Sequence, residues 1–240
     1  MIGAYLKLAS KICHKLEIES SSIFTFSYSS SIKVIRKYFR DARDSFIFTV
    51  NEIIIYNGGY LIFPLFLTSY EIIIYGLWMR LFTGISMLFR AITDISIHDT
   101  TRRYFEGNTL IVRKNLRNIL SMNFLIIFVS IIVYFSAKDW LFDFWVGNKS
   151  IFSSSINFSL WVMIFANSIQ HLSGTFLISI GNHFDFVKKI STAIMILTVL
   201  SNVTLGIFYK DISLILIILS LFYVIGSLIY LLRVKHYYAA

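Results

Sequence analysis

Residues 212–232 read ISLILIILSLFYVIGSLIYLL, a run that contains no charged side chain. The hydrocarbon core of a bilayer is about 30 Å thick, and a helix needs about 20 apolar residues to cross it. Lipid offers the backbone no hydrogen-bond partners, so such a segment must satisfy its own N–H and C=O groups as an α-helix. The run therefore predicts a membrane-spanning helix at Ile212–Leu232.

Other apolar runs of similar length precede this one, with only short polar connections between most of them. They are Phe46–Thr68, Ile72–Ile92, Ile119–Ala137, Ile156–Ile180 and Ile190–Tyr209. The composition agrees, because 57% of the residues are hydrophobic and only 15% are charged, whereas a soluble domain is roughly 25% charged. We therefore predict an all-α polytopic membrane protein, a bundle of six transmembrane helices.

The bundle is predicted to occupy residues 46–232, between two cytoplasmic segments. Residues 1–45 form a basic lead segment and residues 233–240 a short tail. Within the lead segment, Met1–Leu16 has apolar residues at roughly helical spacing. It is either an interfacial amphipathic helix or the end of a further helix. The serine-rich stretch Ser20–Ser31 is expected to be turn-prone.

The net charge of +9 arises from basic residues that concentrate on alternate connections. They are frequent before the first span, after the second and fourth spans and in the tail, and sparse in the connections between. Cytoplasmic connections carry an excess of Lys and Arg, so this pattern places both termini in the cytoplasm. A distribution that follows membrane orientation also argues against nucleic acid as the partner.

Tryptophan positions favour the same topology. All four tryptophans fall at or near the predicted outer boundary, namely Trp78, Trp140, Trp145 and Trp161. Their half-apolar rings prefer the headgroup level of a membrane. We therefore expect Trp140–Trp145 to lie along the outer interface, and His98–Asn118 to be a cytoplasmic turn with a short amphipathic helix.

Ionisable residues inside the spans are the first candidates for a functional site, because each costs at least about 2.5–3.5 kcal/mol at the bilayer centre. Glu52 in the first span lies at about the depth of Arg90 in the second, which makes an interhelical ion pair plausible. Asp94 is four residues after Arg90 and is an alternative partner. Arg80 has no acid at its depth, so it either lines a wet cationic cavity or snorkels outward.

Two polar stretches complete the set of candidates. Asn57 stands beside Gly58 and Gly59 and before Pro64, and together they predict an irregular, kinkable first helix. In the fourth span His171 shares a helix face with Asn167 and is interpreted as a packing residue or a proton relay. The candidate translocation residues are Glu52, Asn57, Arg80, Arg90, Asp94 and His171.

Motifs for catalysis and for cofactor or metal binding are missing from the sequence. It has no Walker loop, no dinucleotide glycine pattern after a strand, no HExxH and no CxxC. The five histidines do not have metal-ligand spacing. We therefore expect a protein that is not an enzyme and that has no catalytic residue, no metal site and no cofactor.

Four segments of the sequence carry a resemblance to a known family. They are RDARDSFIFTVN at Arg40–Asn51, YEIIIYGLWMR at Tyr70–Arg80, DTTRRYFEGN at Asp99–Asn108 and WVGN at Trp145–Asn148. Together they resemble the C-terminal half of a polysaccharide (O-antigen type) flippase. Such flippases belong to the multidrug/oligosaccharidyl-lipid/polysaccharide exporter superfamily and have about twelve to fourteen spans in two bundles. By this resemblance the chain is similar to one half of such a protein.

The resemblance implies translocation of undecaprenyl-pyrophosphate-linked oligosaccharide repeats across the bacterial inner membrane, in O-antigen and lipopolysaccharide biosynthesis. The implied partners are the lipid-linked oligosaccharide, membrane lipids, a complementary N-terminal half and the polysaccharide polymerase and glycosyltransferase machinery. Two alternatives stay open. One is a drug or cation exporter of the same superfamily, and the other is a membrane-embedded transferase that acts on lipid-linked sugars.

The predicted topology can be tested with reporter fusions. Because basic residues mark the cytoplasmic connections, fusions at Ser69, Lys149 and Lys210 should score as external. Fusions at Asn108, His183 and Ala240 should score as internal. A single internal score in the first group would contradict the assignment of six spans with both termini inside.

Overall fold

The computed structural model describes residues 28–147, 151–181 and 183–239, and these residues are almost entirely helical. The helices are α1 (Tyr28–Ile62), α2 (Ser69–Phe105), α3 (Thr109–Val146), α4 (Ser154–Ser179), α5 (Phe184–Phe208) and α6 (Ile212–Ala239), with a short 3-10 turn at Phe63–Leu65. No β-strand occurs among the described residues. The all-α class predicted from the sequence is confirmed.

Five helical segments are long and apolar enough to cross a membrane. They are Ala42–Leu65, Ser69–Phe105, Thr109–Val146, Phe184–Phe208 and Ile212–Lys235. Helix α4 is not one of them, because its polar residues lower its hydropathy; Ser159, Asn167, Ser168 and Ser173 are among these, and all four are buried. The chain is therefore a multi-pass membrane protein in which the predicted fourth span is a helix of more polar composition.

Two compact units divide the chain, residues 1–43 and Asp44–Ala240. Helix α1 (Tyr28–Ile62) contains residues of both units. Tyr28–Ser31 is helical, which corrects that part of the predicted turn-prone stretch. The predicted amphipathic segment Met1–Leu16 lies outside the described residues.

The first helix is more regular than the sequence predicts. Asn57, Gly58 and Gly59 are all within α1, and Pro64 lies beyond its end, in the 3-10 turn. The Asn57 side chain donates to the carbonyl of Ile53, one turn earlier in the same helix, at 3.2 Å. Within the predicted first span, the helix therefore continues through Asn57–Gly59, and the irregular backbone lies at Phe63–Leu65, around Pro64.

The connection between α2 and α3 is also shorter than predicted. Both helices extend to either side of a turn at residues 106–108, and no separate amphipathic helix forms between His98 and Asn118. Ion pairs between Arg102 and Glu106 and between Arg103 and Asp99 support the last turns of α2. Gly107 has φ +76°, a conformation that glycine adopts without strain.

The bundle of Asp44–Ala240 packs around α4. Its most extensive contacts are with α6, followed by those with α2. A large apolar core contains Phe63, Trp78, Phe82 and Leu160, and a second, smaller core includes Phe176, Val187, Tyr230 and Val234. We call the region of the second core the basic end, since Arg102, Arg103, Lys188 and Arg233 lie in the connections and helix ends around it.

Tryptophan placement differs from the prediction. Trp78 is completely buried and stacks on Phe82, with ring centroids 6.0 Å apart, and Trp161 is only 8% exposed. These two residues are core residues, so they are not exposed anchors at a membrane surface. Trp140 and Trp145 are exposed, but they belong to the last turns of α3 rather than to a separate segment along an interface.

The close approach of α1 and α2 can be tested at Gly59. A Cβ atom at this position would overlap the phenol ring of Tyr75 and lie 2.9 Å from the ring of Phe63. We expect Gly59→Ala to destabilise the protein by about 1–3 kcal/mol, because overpacked cores must distort. The measurement is thermal unfolding of the purified protein in detergent.

Gly84→Ala is the matched control, since a Cβ atom there meets no atom within 4 Å. Alanine is also the better helix former, so this variant should be at least as stable as the wild type. Equal melting temperatures for the two variants would show that Gly59 is not required for close packing.

Candidate functional site

Tyr56 is at the centre of a polar cluster inside the bundle. The residue is on α1 and half-buried, and its ring stacks on Phe82 of α2, with centroids 5.8 Å apart. Arg90 of α2 donates from Nη2 to the Tyr56 hydroxyl oxygen at 2.6 Å. Because hydrogen bonds to charged groups are stronger than neutral ones, this contact ties the middle of α1 to α2.

Helix α4 contributes the next group of the cluster. Asn167 Oδ1 lies 3.5 Å from the Tyr56 hydroxyl, and its Nδ2 donates to Ser86 Oγ of α2 at 3.1 Å. Asn167 and Ser86 are both buried, so each satisfies a polar group that would otherwise be without a partner. Three helices thus meet through side-chain hydrogen bonds at one depth of the bundle.

Glu52 lies one helical turn before Tyr56 and interacts with Tyr56 and, through its charge, with Arg90. Glu52 and Arg90 line the same small cavity, of about 110 Å³, as the depth count from the sequence predicts. Within the described residues, however, no ion-pair contact joins these two side chains. The plausible direct pair is replaced by an arrangement in which the phenol of Tyr56 is the group bonded to Arg90.

His171 lines the same cavity from α4. Its Nε2 lies 3.2 Å from Asp94 Oδ1 of α2, and the Asp94 side chain is largely exposed. Asp94 was considered as a partner of Arg90, but in the structure it contacts His171 instead. The contact joins α2 to α4 next to the cavity.

Arg80 lies apart from this cavity, in an open groove of about 360 Å³ between α1 and α2. Asn57, Tyr60 and Thr83 also line the groove, and Arg80 is exposed within it. Among the described residues, no acidic side chain lines the groove or forms an ion pair with Arg80. Arg80 therefore shares the groove with the polar side chains of Asn57 and Tyr60 of α1.

The two sites share one residue. Tyr56 lines the Arg80 groove, while its hydroxyl contacts Arg90 and Asn167, both of which line the cavity. The structure therefore divides the six candidates between two neighbouring sites: Asn57 and Arg80 at the groove, and Glu52, Arg90 and His171 at the cavity, with Asp94 bonded to His171.

Sequence reasoning missed Tyr56, because a tyrosine in an apolar helix has no distinctive pattern. The available signal was its position four residues after Glu52, which places both on one helix face. It also missed Asp44, which is 2% exposed and forms an ion pair with Lys188 of α5 at 2.9 Å. Arginine and lysine near the membrane had been interpreted only as markers of orientation.

Two further observations concern metal binding and similarity to known proteins. In residues 28–147, 151–181 and 183–239, no group of three or more His, Cys, Asp or Glu side chains is arranged to hold a metal ion. No protein family model, no curated protein and no solved structure matches the chain. Fold and site together define a polytopic α-helical membrane protein with a polar cluster between its helices.

The Arg90–Tyr56 hydrogen bond can be tested with Tyr56→Phe. This variant keeps the ring packing but removes the acceptor of Arg90. Because hydrogen bonds to charged groups contribute about 1.5–3 kcal/mol, we expect a loss of stability of that order. Thermal unfolding in detergent measures it.

Tyr60→Phe is the control, since Tyr60 is on the same helix, is 40% exposed and lines the groove rather than bonding to Arg90. It should unfold at nearly the wild-type temperature. If the two variants unfold at the same temperature, the Tyr56 hydroxyl makes no special contribution to the cluster.

Proposed function

We propose that this bundle translocates a lipid-linked oligosaccharide across the bacterial inner membrane. The substrate class is an undecaprenyl-pyrophosphate-linked repeat unit, and the process is O-antigen or polysaccharide biosynthesis. The observation that carries the proposal is an exposed arginine, Arg80, inside a predicted span, in a groove lined by polar groups and without an acidic partner among the described residues. The resemblance of Arg40–Asn51 and Tyr70–Arg80 to polysaccharide flippases points to the same substrate.

The chemistry of the groove suits the head group of such a lipid. A charged side chain within a span normally faces a water-filled cavity or a partner, because its desolvation in lipid is costly. The guanidinium of Arg80 offers a planar set of donors that matches phosphate oxygens. Asn57 and Tyr60 line the same groove and supply the amide and hydroxyl groups that bind sugar hydroxyls.

A complementary bundle is the partner that this arrangement suggests. The α1–α2 face exposes Asn57, Arg80 and Thr83, and polar groups of this kind are not stable against hydrocarbon. A second bundle placed across this face would turn the open groove into an enclosed polar path. In this proposal the basic end faces the cytoplasm, as the excess of Lys and Arg there favours.

An ion-coupled drug or cation exporter is the second candidate, and Glu52 is the observation that favours it. A carboxylate that lines a cavity can exchange a proton or bind a cation. Arg90 lines the same cavity, and its positive charge disfavours a cationic substrate there. The transferase alternative needs a cluster of catalytic acids or histidines at a membrane face, whereas His171 and Asp94 form a contact of two side chains between helices.

Substitution of Arg80 tests the proposed function. The assay is transport of radiolabelled lipid-linked oligosaccharide into vesicles that contain this chain, with and without a complementary bundle. We expect Arg80→Ala to reduce transport about tenfold or more, since a hydrogen bond to a charged group contributes about 1.5–3 kcal/mol. Arg80→Lys should keep part of the activity, because lysine retains the charge but not the planar fork.

Arg113→Ala is the matched control, because Arg113 is an exposed arginine on α3 that lines none of the described pockets. It should transport at the wild-type rate. Normal transport by Arg80→Ala would show that Arg80 is only a snorkelling anchor. Transport of cationic drugs with no transport of the lipid-linked sugar would favour the exporter instead.

A further inference from the structure

A second groove lies on a different flank of the bundle, between α3, α4 and α6. Its volume is about 750 Å³, and none of the residues that line it lines the cavity or the Arg80 groove. Aromatic and aliphatic side chains form most of its walls, among them Phe135, Phe158, Trp161, Phe165 and Leu228. The groove is therefore a site that translocation through the α1–α2 face does not use.

Polar groups are concentrated at one end of this groove. Lys138 of α3 and Ser154 and Asn157 at the start of α4 line that end. Asn157 is already satisfied, because it accepts from the Tyr134 hydroxyl and donates to the carbonyl of Ser153. Lys138 and Ser154 are the groups that remain for a ligand.

The charge of Lys138 is not neutralised by the part of the chain that the structure describes. Its side chain is half-buried, its Nζ lies 5.4 Å from the ring centroid of Phe135, and no carboxylate there forms an ion pair with it. The nearby acids Asp139 and Asp143 are exposed and do not line the groove. The first turn of α4, at Ser154, adds the partial positive charge of a helix N-terminus.

The groove has the length of a lipid tail. Along α4 it extends from Ser154 to Ile169, about 22 Å at a rise of 1.5 Å per residue. This distance exceeds one leaflet of the hydrocarbon core, which is about half of 30 Å. An acyl chain whose head group lies at the Lys138 end can therefore stay inside the groove across the whole thickness of one leaflet.

We propose that this groove holds a resident anionic phospholipid, with an acyl chain along α4 and its phosphate at Lys138. The polar groups at one end and the apolar walls beyond them match the two parts of such a lipid. A wholly apolar helix of another protein would leave Lys138 without a counter-charge, and a zwitterionic lipid would bring a second positive charge to it. The charge complementarity of Lys138 therefore selects an anionic phospholipid as the occupant.

The test is lipid retention by the purified full-length chain, measured by native mass spectrometry. The protein is extracted in detergent and mixed with equal amounts of dioleoylphosphatidylglycerol and dioleoylphosphatidylcholine. We expect wild-type protein to retain phosphatidylglycerol in preference. Lys138→Gln should bind it about fivefold more weakly, since one basic residue near a membrane surface contributes about 1 kcal/mol.

Lys210→Gln is the control for charge, because Lys210 is exposed in the connection between α5 and α6 and does not line this groove. Val162→Trp should fill the groove and reduce retention of both lipids, whereas Leu200→Trp, on an exposed face of α5, should reduce neither. Equal losses for Lys138→Gln and Lys210→Gln would overturn the proposal, and so would equal retention of the two lipids.

A final arm of the experiment separates this groove from the transported substrate. A long-chain prenyl phosphate is added in equal amount as a competitor. We expect phosphatidylglycerol to remain bound, because the proposed occupant is a membrane phospholipid. Complete displacement by the prenyl phosphate would overturn the assignment. Since no transport is measured, the result does not depend on the outcome of the Arg80 substitutions.

Discussion

The cost of placing a charged side chain inside an apolar bundle determines how the interior is arranged. Arg90 projects from α2 into the space between α1 and α4, where it requires a hydrogen-bond acceptor. The Tyr56 hydroxyl provides one at 2.6 Å, and Asn167 and Ser86 extend the contacts to α4 and back to α2. Because each of these groups satisfies another, α1, α2 and α4 are fixed relative to one another at this depth.

The same constraint explains why the polar residues of the most buried helix, α4, are tolerated. Helices that face lipid need apolar exposed surfaces, and α3 and α5 expose many large hydrophobic residues such as Phe128 and Leu200. Helix α4 packs on both α2 and α6, so its polar residues meet other side chains instead of lipid. The length of the apolar run therefore predicted the position of α4 well. The hydropathy of α4 is nevertheless lower than that of the five candidate membrane spans.

The sequence predicted which segments are helices, but it did not predict where the helices end. Long apolar runs locate helices because lipid permits little else, and this reasoning placed every helix of the bundle. It failed for His98–Asn118, where α2 and α3 continue beyond the apolar runs and bury residues such as Val112 and Leu116 in the second core. It also failed for Trp78, which is completely buried in a core with residues of other helices such as Leu160, because a single-helix pattern contains no information about that packing.

The candidate site was predictable in part for the same reason. Counting residues from the turn between α1 and α2 gives the depth of each residue along the helices. This count predicted that Glu52 and Arg90 lie at the same depth, and both line one cavity. Depth does not give the rotation of a helix about its axis, so the sequence did not reveal that Tyr56 lies between Glu52 and Arg90 or that Asp94 turns toward His171. Helix rotation also places Arg80 in the groove between α1 and α2, whereas Arg90 lines the cavity. Tyr56 lines that groove and accepts the hydrogen bond from Arg90. A change in the groove that moves the Tyr56 ring must therefore alter the only described hydrogen bond of the Arg90 guanidinium, which gives the two sites a direct physical connection.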